Sequence, residues 1–591
     1  MIKRLALAAA IALAATGSAY AQGTPAQSWV ERSNSDAKVL LDAIARFQPE
    51  TATQLGLPGY DDKVIDLKPN SDARLRAAFA DARTKLQGML ATEKDTNVRQ
   101  DLQIMIKAAN LNIESIDLND KYMLPYQDLG QLIFNGEFSL LRDEIDAKRR
   151  PNAIKRLQCY VGTAPGCTPM IKLVEAQTLA RMSDKKLLGP YKGNVDQQLS
   201  NSQRYAQGIR QLFVKYKLDN ADAKAALDAM DAQFKDYDSW VRSTIVPRQR
   251  TDFRLPEPLY AYNLKAVGID ISPEDLIKQA QMEFVEVRSA MQMMAPVVAK
   301  DEGFSSNDYR DVLKALKKQQ LGRNDVEPWY HDVIGKIEDI IRSKNIVTLP
   351  QRAMQMRVAS DAETANQPAP HMDPPPLIDN HGERGTFVLT MGNPTQKGAS
   401  SDSSYDDFTF KAAAWTLTSH EGRPGHELQF SAMVERGVSL ARSVFAFNSV
   451  NVEGWALYAE SEMQPYEPPA GQFITLQFRL VRAARAFLDP MLNLGLITKE
   501  RAHDVLRYDV GLSEAMTNEE LDRFTFNSPG QATAYFYGYM RIQQTRLQTE
   551  LALGKDFNQK AFNDFIIGQG LLPPDQLAEA VRTQFIPSQK K

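Results

Sequence analysis

Apolar residues recur at three- and four-residue spacing along most of the chain, and this period is typical of amphipathic α-helices. The longest such stretch runs from Ser71 to Asn119. The same spacing predicts further helices at Val195–Lys217, Ala221–Ser243, Ser272–Met294 and Asp308–Gln319. Ser272 is a suitable capping residue because Pro273 and two acidic residues follow it. The pattern therefore predicts a mainly α fold.

The helical pattern is interrupted after about Leu349. Residues 361–407 are rich in Pro, Asn, Gly, Ser and Asp, and helices cannot continue through such proline-rich runs. Within them, Gly385–Thr390 predicts a short edge strand near the functional site. The free N–H and C=O groups of an edge strand can pair with a peptide, although this strand could equally serve packing alone. Helical spacing returns at Phe408 and continues to the end.

The first 21 residues have the features of a secretory signal peptide. Lys3 and Arg4 precede the apolar run Leu5–Ala15, and Ala19–Ala21 forms an A-x-A cleavage site. The apolar run is shorter than the roughly 20 residues that span a bilayer. We expect cleavage after Ala21 and a soluble periplasmic or secreted protein with no membrane span. No cysteine lies near the cleavage site, so a lipid anchor is not expected.

Composition and charge narrow the functional class. Apolar residues make up 43% and charged residues 24% of the 591 residues, which is ordinary for a globular protein. Without Lys3 and Arg4, 68 basic residues remain against 73 acidic ones, a net charge of −5. A nucleic-acid partner would normally require a basic surplus, so none is expected.

The two cysteines, Cys159 and Cys167, stand eight residues apart with Gly and Pro between them. An exported protein meets an oxidising compartment, so we favour a local disulfide. The alternative is a pair of free buried thiols.

The segment His420–His426 reads HEGRPGH and departs from the zinc-binding pattern HExxH, because its second histidine comes two residues late. Residues six apart point about 120° apart on a regular helix and would not converge on one ion. Gly422, Pro424 and Gly425 weaken the helix between them. A two-residue bulge would return His426 to the face of His420 and create a metal site. The alternative is that both histidines are ordinary core or surface residues.

Acidic residues complete the predicted site. Glu421 stands where zinc peptidases carry the base that takes a proton from the attacking water. A tetrahedral zinc site needs a third protein ligand, and Glu453 follows His426 by 27 residues, a suitable distance for the next antiparallel helix. Glu460 lies on the same helical face as Glu453 and is the weaker candidate, in a supporting role. Histidine and carboxylate ligands favour Zn²⁺ as the cofactor.

Several blocks resemble one bacterial family. The chain carries, in this order, HEGRPGH, NVEGWALYAE, RAARAFLD, ELDRF, PGQATAYFYG and FNDFIIGQGLLPPDQL. These blocks, from His420 to about Leu577, resemble the domain-of-unknown-function 885 (DUF885) family. That family is similar to mainly helical zinc peptidases (gluzincins) of the angiotensin-converting enzyme, neurolysin and carboxypeptidase Taq type. The resemblance implies two helical halves around a deep cleft with a small β-ribbon at the rim. It also implies zinc on His420, His426 and Glu453, with Glu421 as base.

Tyrosines and arginines of the later blocks are candidates for substrate contacts. Tyr535 sits where the family has its tyrosine and could stabilise the oxygen that gains charge when a peptide carbonyl is attacked. Tyr539 lies on the same helical face, and aromatic core packing is the alternative for both. Arg523, Arg541 and Arg546 could bind a substrate carboxylate through two parallel hydrogen bonds, or form structural ion pairs.

Other positions are predicted to be structural or depart from the family pattern. Arg485 and Asp489 stand four residues apart on one helix and predict an ion pair. The family usually has Gly and His where this chain has Met491 and Asn493, and another His where this chain has Asn563. Asn cannot carry a proton at neutral pH, so we expect slower catalysis or another substrate if those histidines act in the reaction.

The sequence thus predicts an exported zinc-dependent metallopeptidase that hydrolyses short peptides. The alternatives are a weakly active or inactive zinc-containing peptide-binding protein of the envelope, and a metal-dependent amidase or esterase. Residues 22–380 would form a wall or lid of the cleft and residues 381–591 the zinc-site half, within one continuous unit. The pattern specifies no oligomeric state.

Overall fold

The structure, a computed structural model, describes residues 28–367, 369–391 and 405–590. The predicted signal peptide, residues 1–21, lies outside the described residues. The described chain is mainly helical and contains one small sheet, as the sequence pattern predicts.

The first thirteen α-helices precede the sheet. Their bounds are α1 Trp29–Phe47, α2 Pro49–Leu55, α3 Ser71–Thr92, α4 Thr96–Tyr122, α5 Leu129–Phe138, α6 Asn152–Tyr160, α7 Met170–Arg181, α8 Lys192–Lys215, α9 Ala221–Trp240, α10 Glu257–Val267, α11 Pro273–Glu302, α12 Tyr309–Lys317 and α13 Arg323–Lys344.

The remaining helices begin inside the sheet region and continue to the end of the described chain. They are α14 Asp361–Asn366, α15 Ala413–Glu421, α16 His426–Arg436, α17 Ser449–Met463, α18 Pro469–Asn493, α19 Lys499–Asp504, α20 Glu514–Asp522, α21 Ala534–Leu553, α22 Gln559–Gly568, α23 Pro574–Ala580 and α24 Ile586–Gln589.

The helix boundaries follow local capping chemistry. The stretch predicted as continuous helix from Ser71 is divided into α3 and α4, because the Asp95 carboxylate accepts hydrogen bonds from the N–H groups of Asn97 and Val98 and starts a new helix. The predicted cap of α11 is confirmed, since the Ser272 hydroxyl accepts a hydrogen bond from the Asp275 N–H.

Three short strands form the sheet: β1 Gln355–Val358, β2 His371–Asp373 and β3 Thr386–Leu389. Their order is β1-β3-β2, with β3 parallel to β1 and antiparallel to β2. The strand predicted at an edge is therefore the central one, and all its residues are buried. Its two partners arise from short segments near prolines that the sequence pattern did not predict as strands. The two edges of the sheet are β1 and β2.

The hydrophobic core is divided between two large clusters and a small one. One large cluster is built mainly from α5 to α9, and the other extends from Tyr260 to Phe585 and includes β3. The small cluster joins α1, α3 and α4. Helices α10 to α13 pack into the same core as α15 to α18. A deep cavity opens between the two large clusters.

The predicted disulfide between Cys159 and Cys167 is present, with their Cα atoms 5.1 Å apart. It closes the short loop between α6 and α7. Among the helices that the structure describes, none has the length and apolar character needed to cross a membrane.

Candidate metal centre

The HEGRPGH segment forms two helices joined by a tight turn. Helix α15 ends at Glu421, and α16 begins at His426. The sequence analysis expected a bulge within one helix, and the structure replaces it with a complete break. The outcome for the side chains is the one predicted: the rings of His420 and His426 come together with their centroids 4.8 Å apart.

Glycine is required where α16 starts. A Cβ atom on Gly425 would lie 1.9 Å from the carbonyl oxygen of His420 and 2.4 Å from that of Ser419. Both distances are far below van der Waals contact, so a side chain there would force the helices apart. The Trp455 indole N–H donates to the Pro424 carbonyl at 2.9 Å and fixes the turn from the side of α17. Trp455, in the EGW block, therefore stabilises the turn within HEGRPGH.

Arg423 anchors the same turn to its surroundings. Its guanidinium donates to the Glu427 carboxylate at 2.6 Å, to Glu338 of α13 at 2.7 Å and to the Arg352 carbonyl at 2.6 Å. The side chain is almost fully buried, and these bonds compensate its charge. The centre of the HEGRPGH segment is thus a structural element that holds the two histidines in place.

Three donor atoms converge beside the turn. The Glu453 Oε2 atom lies 3.4 Å from His420 Nε2 and 3.3 Å from His426 Nε2. Ligands of a tetrahedral zinc ion, each about 2.0–2.2 Å from the metal, lie about 3.3–3.5 Å from one another. The distances from Glu453 Oε2 to the two imidazole nitrogens fit such an ion. Glu421 is adjacent, with Oε1 3.8 Å from His420 Nε2.

Unpaired buried atoms at the same place also fit a bound cation. Among the described residues, Glu453 Oε2, Glu421 Oε2 and His426 Nδ1 are buried without a hydrogen-bond partner. A buried carboxylate oxygen without a partner is costly, and a metal ion would compensate it. His420, Glu421 and His426 offer ligand atoms within 4.8 Å of one another, but Glu453 lies nearer to both histidines than Glu421 lies to His420.

Glu460 has the supporting role predicted for it. Its Oε1 atom lies 2.6 Å from His420 Nδ1, and its Oε2 atom accepts a hydrogen bond from the Thr416 hydroxyl at 2.9 Å. Arg482 donates to Glu460 at 3.3 Å. A carboxylate on Nδ1 orients the ring so that Nε2 faces Glu453, an arrangement common around metal-ligating histidines.

The two glutamates beside the histidines have opposite pKa shifts. Burial raises the pKa of Glu421 to about 8, and the negative charge of Glu453 adds to the rise. Burial also opposes the charge of Glu453, but the adjacent His420 and His426 imidazoles outweigh it and hold the pKa of Glu453 well below its usual value. One carboxyl can therefore carry a proton at neutral pH while its neighbour stays ionised, which is a pattern of acid–base sites.

Tyr535 lies against the histidines, as expected. Its ring stacks on His420 with the centroids 6.1 Å apart and the planes at 17°. Its hydroxyl oxygen accepts a hydrogen bond from Arg523 Nη2 at 2.8 Å. The guanidinium carbons of Arg482, Arg485 and Arg523 lie 5.9, 4.8 and 5.1 Å from the centre of the Tyr535 ring. The tyrosine is surrounded by positive charge.

A main-chain contact positions Tyr535 relative to Glu453. Helices α17 and α21 cross at Gly454 and Gly538, where a Cβ on Gly454 would lie 2.4 Å from the Gly538 carbonyl carbon. A Cβ on Gly538 would lie 1.9 Å from the Val450 carbonyl oxygen. Glu453 directly precedes one of these glycines, and Tyr535 lies one turn before the other. The close crossing brings the two side chains to the same cavity.

The cavity between the two large cores has a volume of about 1140 Å³. The histidines, Glu421, Glu453, Tyr535 and the three arginines lie on one side of it. The opposite wall is rich in side-chain amides: Gln54, Gln131, Asn194, Gln197, Asn366 and Gln367. Residues of the edge strand β2 also reach the lining. The cleft and its small sheet agree with the predicted architecture.

Comparison with known proteins gives the family. Residues 49–581 match the family described as "Bacterial protein of unknown function (DUF885)". The chain belongs to the DUF885 family. None of the curated proteins matches it significantly.

Two solved structures share the fold of this DUF885 protein. A "putative lipoprotein" from Colwellia psychrerythraea has a TM-score of 0.75 and 19% identity, over 94% of this chain and 99% of its own. A "putative lipoprotein of unknown function" from Shewanella oneidensis has a TM-score of 0.70 and 18% identity, over 94% of this chain and 100% of its own. Neither name states a metal or an activity.

Three of the residues predicted to bind substrate, Tyr539, Arg541 and Arg546, lie outside the cavity lining of the DUF885 protein, whereas Arg523 belongs to it. Arg541 forms ion pairs with Asp270 and Asp575, and Arg546 pairs with Glu462. Tyr539 packs under another guanidinium, that of Arg479. The reason is the length of α21: successive turns carry these residues away along the helix axis, and a rise of 1.5 Å per residue places Arg546 about 16 Å beyond Tyr535.

Arg482 and Arg485 of the RAAR block line the cavity instead. Sequence reasoning treated Arg485 as the partner of Asp489, but its Nε donates to Glu520 at 2.8 Å. Asp489 accepts hydrogen bonds from the Tyr260 hydroxyl and the Gly530 N–H, each at 2.9 Å. Two arginines three residues apart share a helix face, and that spacing was the available clue.

Asn493 and Asn563, where the sequence analysis noted departures from the family pattern, have structural roles. The Asn493 side chain donates to the Phe524 carbonyl at 3.0 Å, and Asn563 donates to the Ile346 carbonyl at 2.9 Å and accepts from the Tyr458 hydroxyl at 2.8 Å. Neither belongs to the cavity lining. The site residues themselves are therefore untouched by these departures.

Proposed function

We propose that this DUF885 protein is a zinc-dependent metallopeptidase that hydrolyses short peptides. The observation that carries the proposal is the triangle of donor atoms formed by His420, His426 and Glu453, with sides of 3.3 and 3.4 Å to the carboxylate oxygen. Two imidazoles and one carboxylate are a ligand set of catalytic zinc sites, which keep a fourth position open. Glu421 stands immediately beside this triangle.

The side chains around the triangle have the properties that hydrolysis requires. A zinc ion bound there acts as a Lewis acid, which lowers the pKa of water and polarises a carbonyl group. Glu421 takes a proton from the attacking water and delivers it to the leaving nitrogen, since its carboxyl can exist in both protonation states near neutral pH. The Tyr535 hydroxyl, held by Arg523, donates a hydrogen bond to the oxygen on which negative charge grows.

The cleft favours short or unfolded chains as substrates. It lies between two cores, and its volume of about 1140 Å³ admits a short peptide in extended form, whereas a folded domain is too large. The amide side chains of the far wall can donate to and accept from a peptide backbone. The disulfide between Cys159 and Cys167 is compatible with the predicted exported location.

The first test is the metal content of the purified mature protein beside that of His426→Ala. About one zinc per chain is expected in the wild type and none in the variant. The second test compares the wild type with Glu421→Gln on a panel of peptides and of non-peptide amides and esters. We expect peptide hydrolysis that is lost in the variant although zinc remains bound. Full activity of Glu421→Gln, or no zinc in the wild type after zinc is supplied, would refute the proposal.

A further inference from the structure

Three arginines surround Tyr535, and they differ in how closely a carboxylate approaches them. Arg482 pairs with Glu460 at 3.3 Å, and Arg485 donates to both oxygens of Glu520. Arg523 has only a distant contact with that second carboxylate, at 3.8 Å. Its hydrogen bonds go to neutral groups, the Gln531 amide oxygen and the Tyr535 hydroxyl. Arg523 is thus the arginine of the three that lacks a close ion pair in the described part of the chain.

Other carboxylates near this cluster have their direct contacts with residues outside it. Glu519 accepts a hydrogen bond from the Tyr405 hydroxyl at 2.6 Å, and Asp522 pairs with Lys499 at 3.4 Å. Glu453 points its Oε2 atom at the two histidines of the donor triangle. Among the described residues, the only carboxylate within 4 Å of the Arg523 guanidinium is therefore that of Glu520, at 3.8 Å.

The arginines of this cluster also have N–H groups that can donate a hydrogen bond to a ligand in the cavity. Arg482 Nε is buried and has no hydrogen-bond partner among the described residues. Within the same part of the chain, Arg485 and Arg523 form their hydrogen bonds through Nε and Nη2, and none is seen from Nη1. All three arginines line the cavity. A guanidinium with a free N–H and a low-dielectric setting is suited to hold a carboxylate.

We infer that Arg485 and Arg523 form a subsite for a carboxylate of the substrate, and that its usual occupant is the C-terminal carboxylate of the peptide. This inference rests on the proposed peptidase function and specifies its direction: residues are removed from the C-terminal end. The guanidinium carbons lie 4.8 and 5.1 Å from the ring of Tyr535, which is itself 6.1 Å from the ring of His420. The guanidinium carbons therefore lie at most about 11 Å from the His420 ring, and because one residue spans about 3.5 Å, the cleaved bond lies within about three residues of the C-terminus.

The test uses three pools of N-acetylated pentapeptides with randomised residues: free acids, C-terminal amides, and amides with Glu fixed at the last position. Products are identified by mass spectrometry. We expect the free acids to be cleaved at least tenfold faster than the plain amides, at a fixed distance from the C-terminus. Equal rates for the acids and both amide pools would overturn the subsite. If the Glu-amide pool equals the free acids, the subsite holds but its proposed occupant is overturned.

Peptide binding separates this inference from the peptidase proposal. Competition of the same pools against a fluorescein-labelled free-acid pool is measured by anisotropy. If no pool is hydrolysed but the acids bind at least tenfold more tightly than the amides, the subsite stands and the peptidase function fails. Equal binding of acids and amides, or binding of neither, overturns the subsite.

A paired variant tests the arginine directly. Arg485→Gln combined with Glu520→Gln removes both charges together, so that no buried charge is left alone. We expect its acid-to-amide rate ratio to fall at least fivefold. The matched control is Arg541→Gln, an arginine whose ion pairs lie outside the cavity, and its ratio should equal that of the wild type. A purely structural loss would lower the rates on the acids and on the amides by the same factor, and an unchanged acid-to-amide ratio would count against the inference. If the double variant does not fold, the comparison of the wild-type rates on the three pools still decides.

Discussion

Replacing Gly425 by Ala should disable the metal centre without touching a ligand. The added Cβ would lie 1.9 Å from the His420 carbonyl oxygen, and real Cβ contacts essentially never fall below 3.0 Å. The two atoms must therefore separate by about 1.1 Å, and the start of α16 must move with them. Metal–ligand distances tolerate only about 0.2 Å. We expect His426 to leave the donor triangle and zinc affinity to fall at least tenfold, about 1.4 kcal/mol.

Zinc affinity is measured by competition with a chromophoric chelator, and stability by chemical denaturation of the metal-free protein. Overpacking at Gly425 should also lower the free energy of unfolding by about 1–3 kcal/mol. The matched control is Gly88→Ala in α3, where a Cβ meets nothing within 4 Å. That control should keep full zinc affinity and gain up to about 1 kcal/mol of stability. Zinc affinity of Gly425→Ala equal to that of the control would refute the role assigned to the turn.

Three further predictions concern the surroundings of the site. Glu460→Gln keeps the shape of the group on His420 Nδ1 but removes its charge, so zinc affinity should fall about 10- to 100-fold in the same competition assay; an unchanged affinity would contradict its supporting role. At pH 7 the Glu421 carboxyl, with its pKa of about 8, is mostly protonated in the metal-free protein, and a cation nearby lowers that pKa. Calorimetry in two buffers of different ionisation enthalpy should therefore show about one proton more released per zinc by the wild type than by Glu421→Gln, with the difference lost above pH 9; equal proton release at pH 7 would rule this out. Replacing Cys159 and Cys167 by Ser should lower the free energy of unfolding by about 2–3 kcal/mol in chemical denaturation and leave zinc affinity intact, since neither cysteine lines the cavity; a loss of zinc binding would contradict that separation.

The convergence of His420, His426 and Glu453 could be predicted from the sequence because it follows from the spacing of these residues along the chain. The late histidine required a break in the helix, and glycine and proline stood where the break had to be. The position of Glu453 followed from the length of an antiparallel return. The manner of the break was not accessible: whether a helix bulges or stops depends on contacts such as the one from Trp455 to the Pro424 carbonyl, which join distant segments.

Long-range geometry also explains the other differences. The four-residue spacing along α21 shows which residues share a helix face but not how far each turn lies from the site. Arg541 was therefore predicted at the cleft, although it pairs with Asp270. The position of β3 within the sheet depends on two neighbours whose own sequences look like loop. Similarly, Arg485 had two acidic residues within reach along or across the chain, and only the packing of α20 on α18 selects Glu520.

The crossing of α17 and α21 at Gly454 and Gly538 has a consequence for how substrate preference can change. Side chains sample rotamers and can be exchanged, but a main-chain contact offers no such freedom. The distance between α17, which carries Glu453, and α21, which carries Tyr535, is therefore set by contacts of the main chain. Half of the amide side chains of the opposite wall, Gln131, Asn194 and Gln197, lie on helices α5 and α8 of the other large core. Substitutions in that wall can thus reshape the cavity while the spacing of the helices that carry Glu453 and Tyr535 is kept.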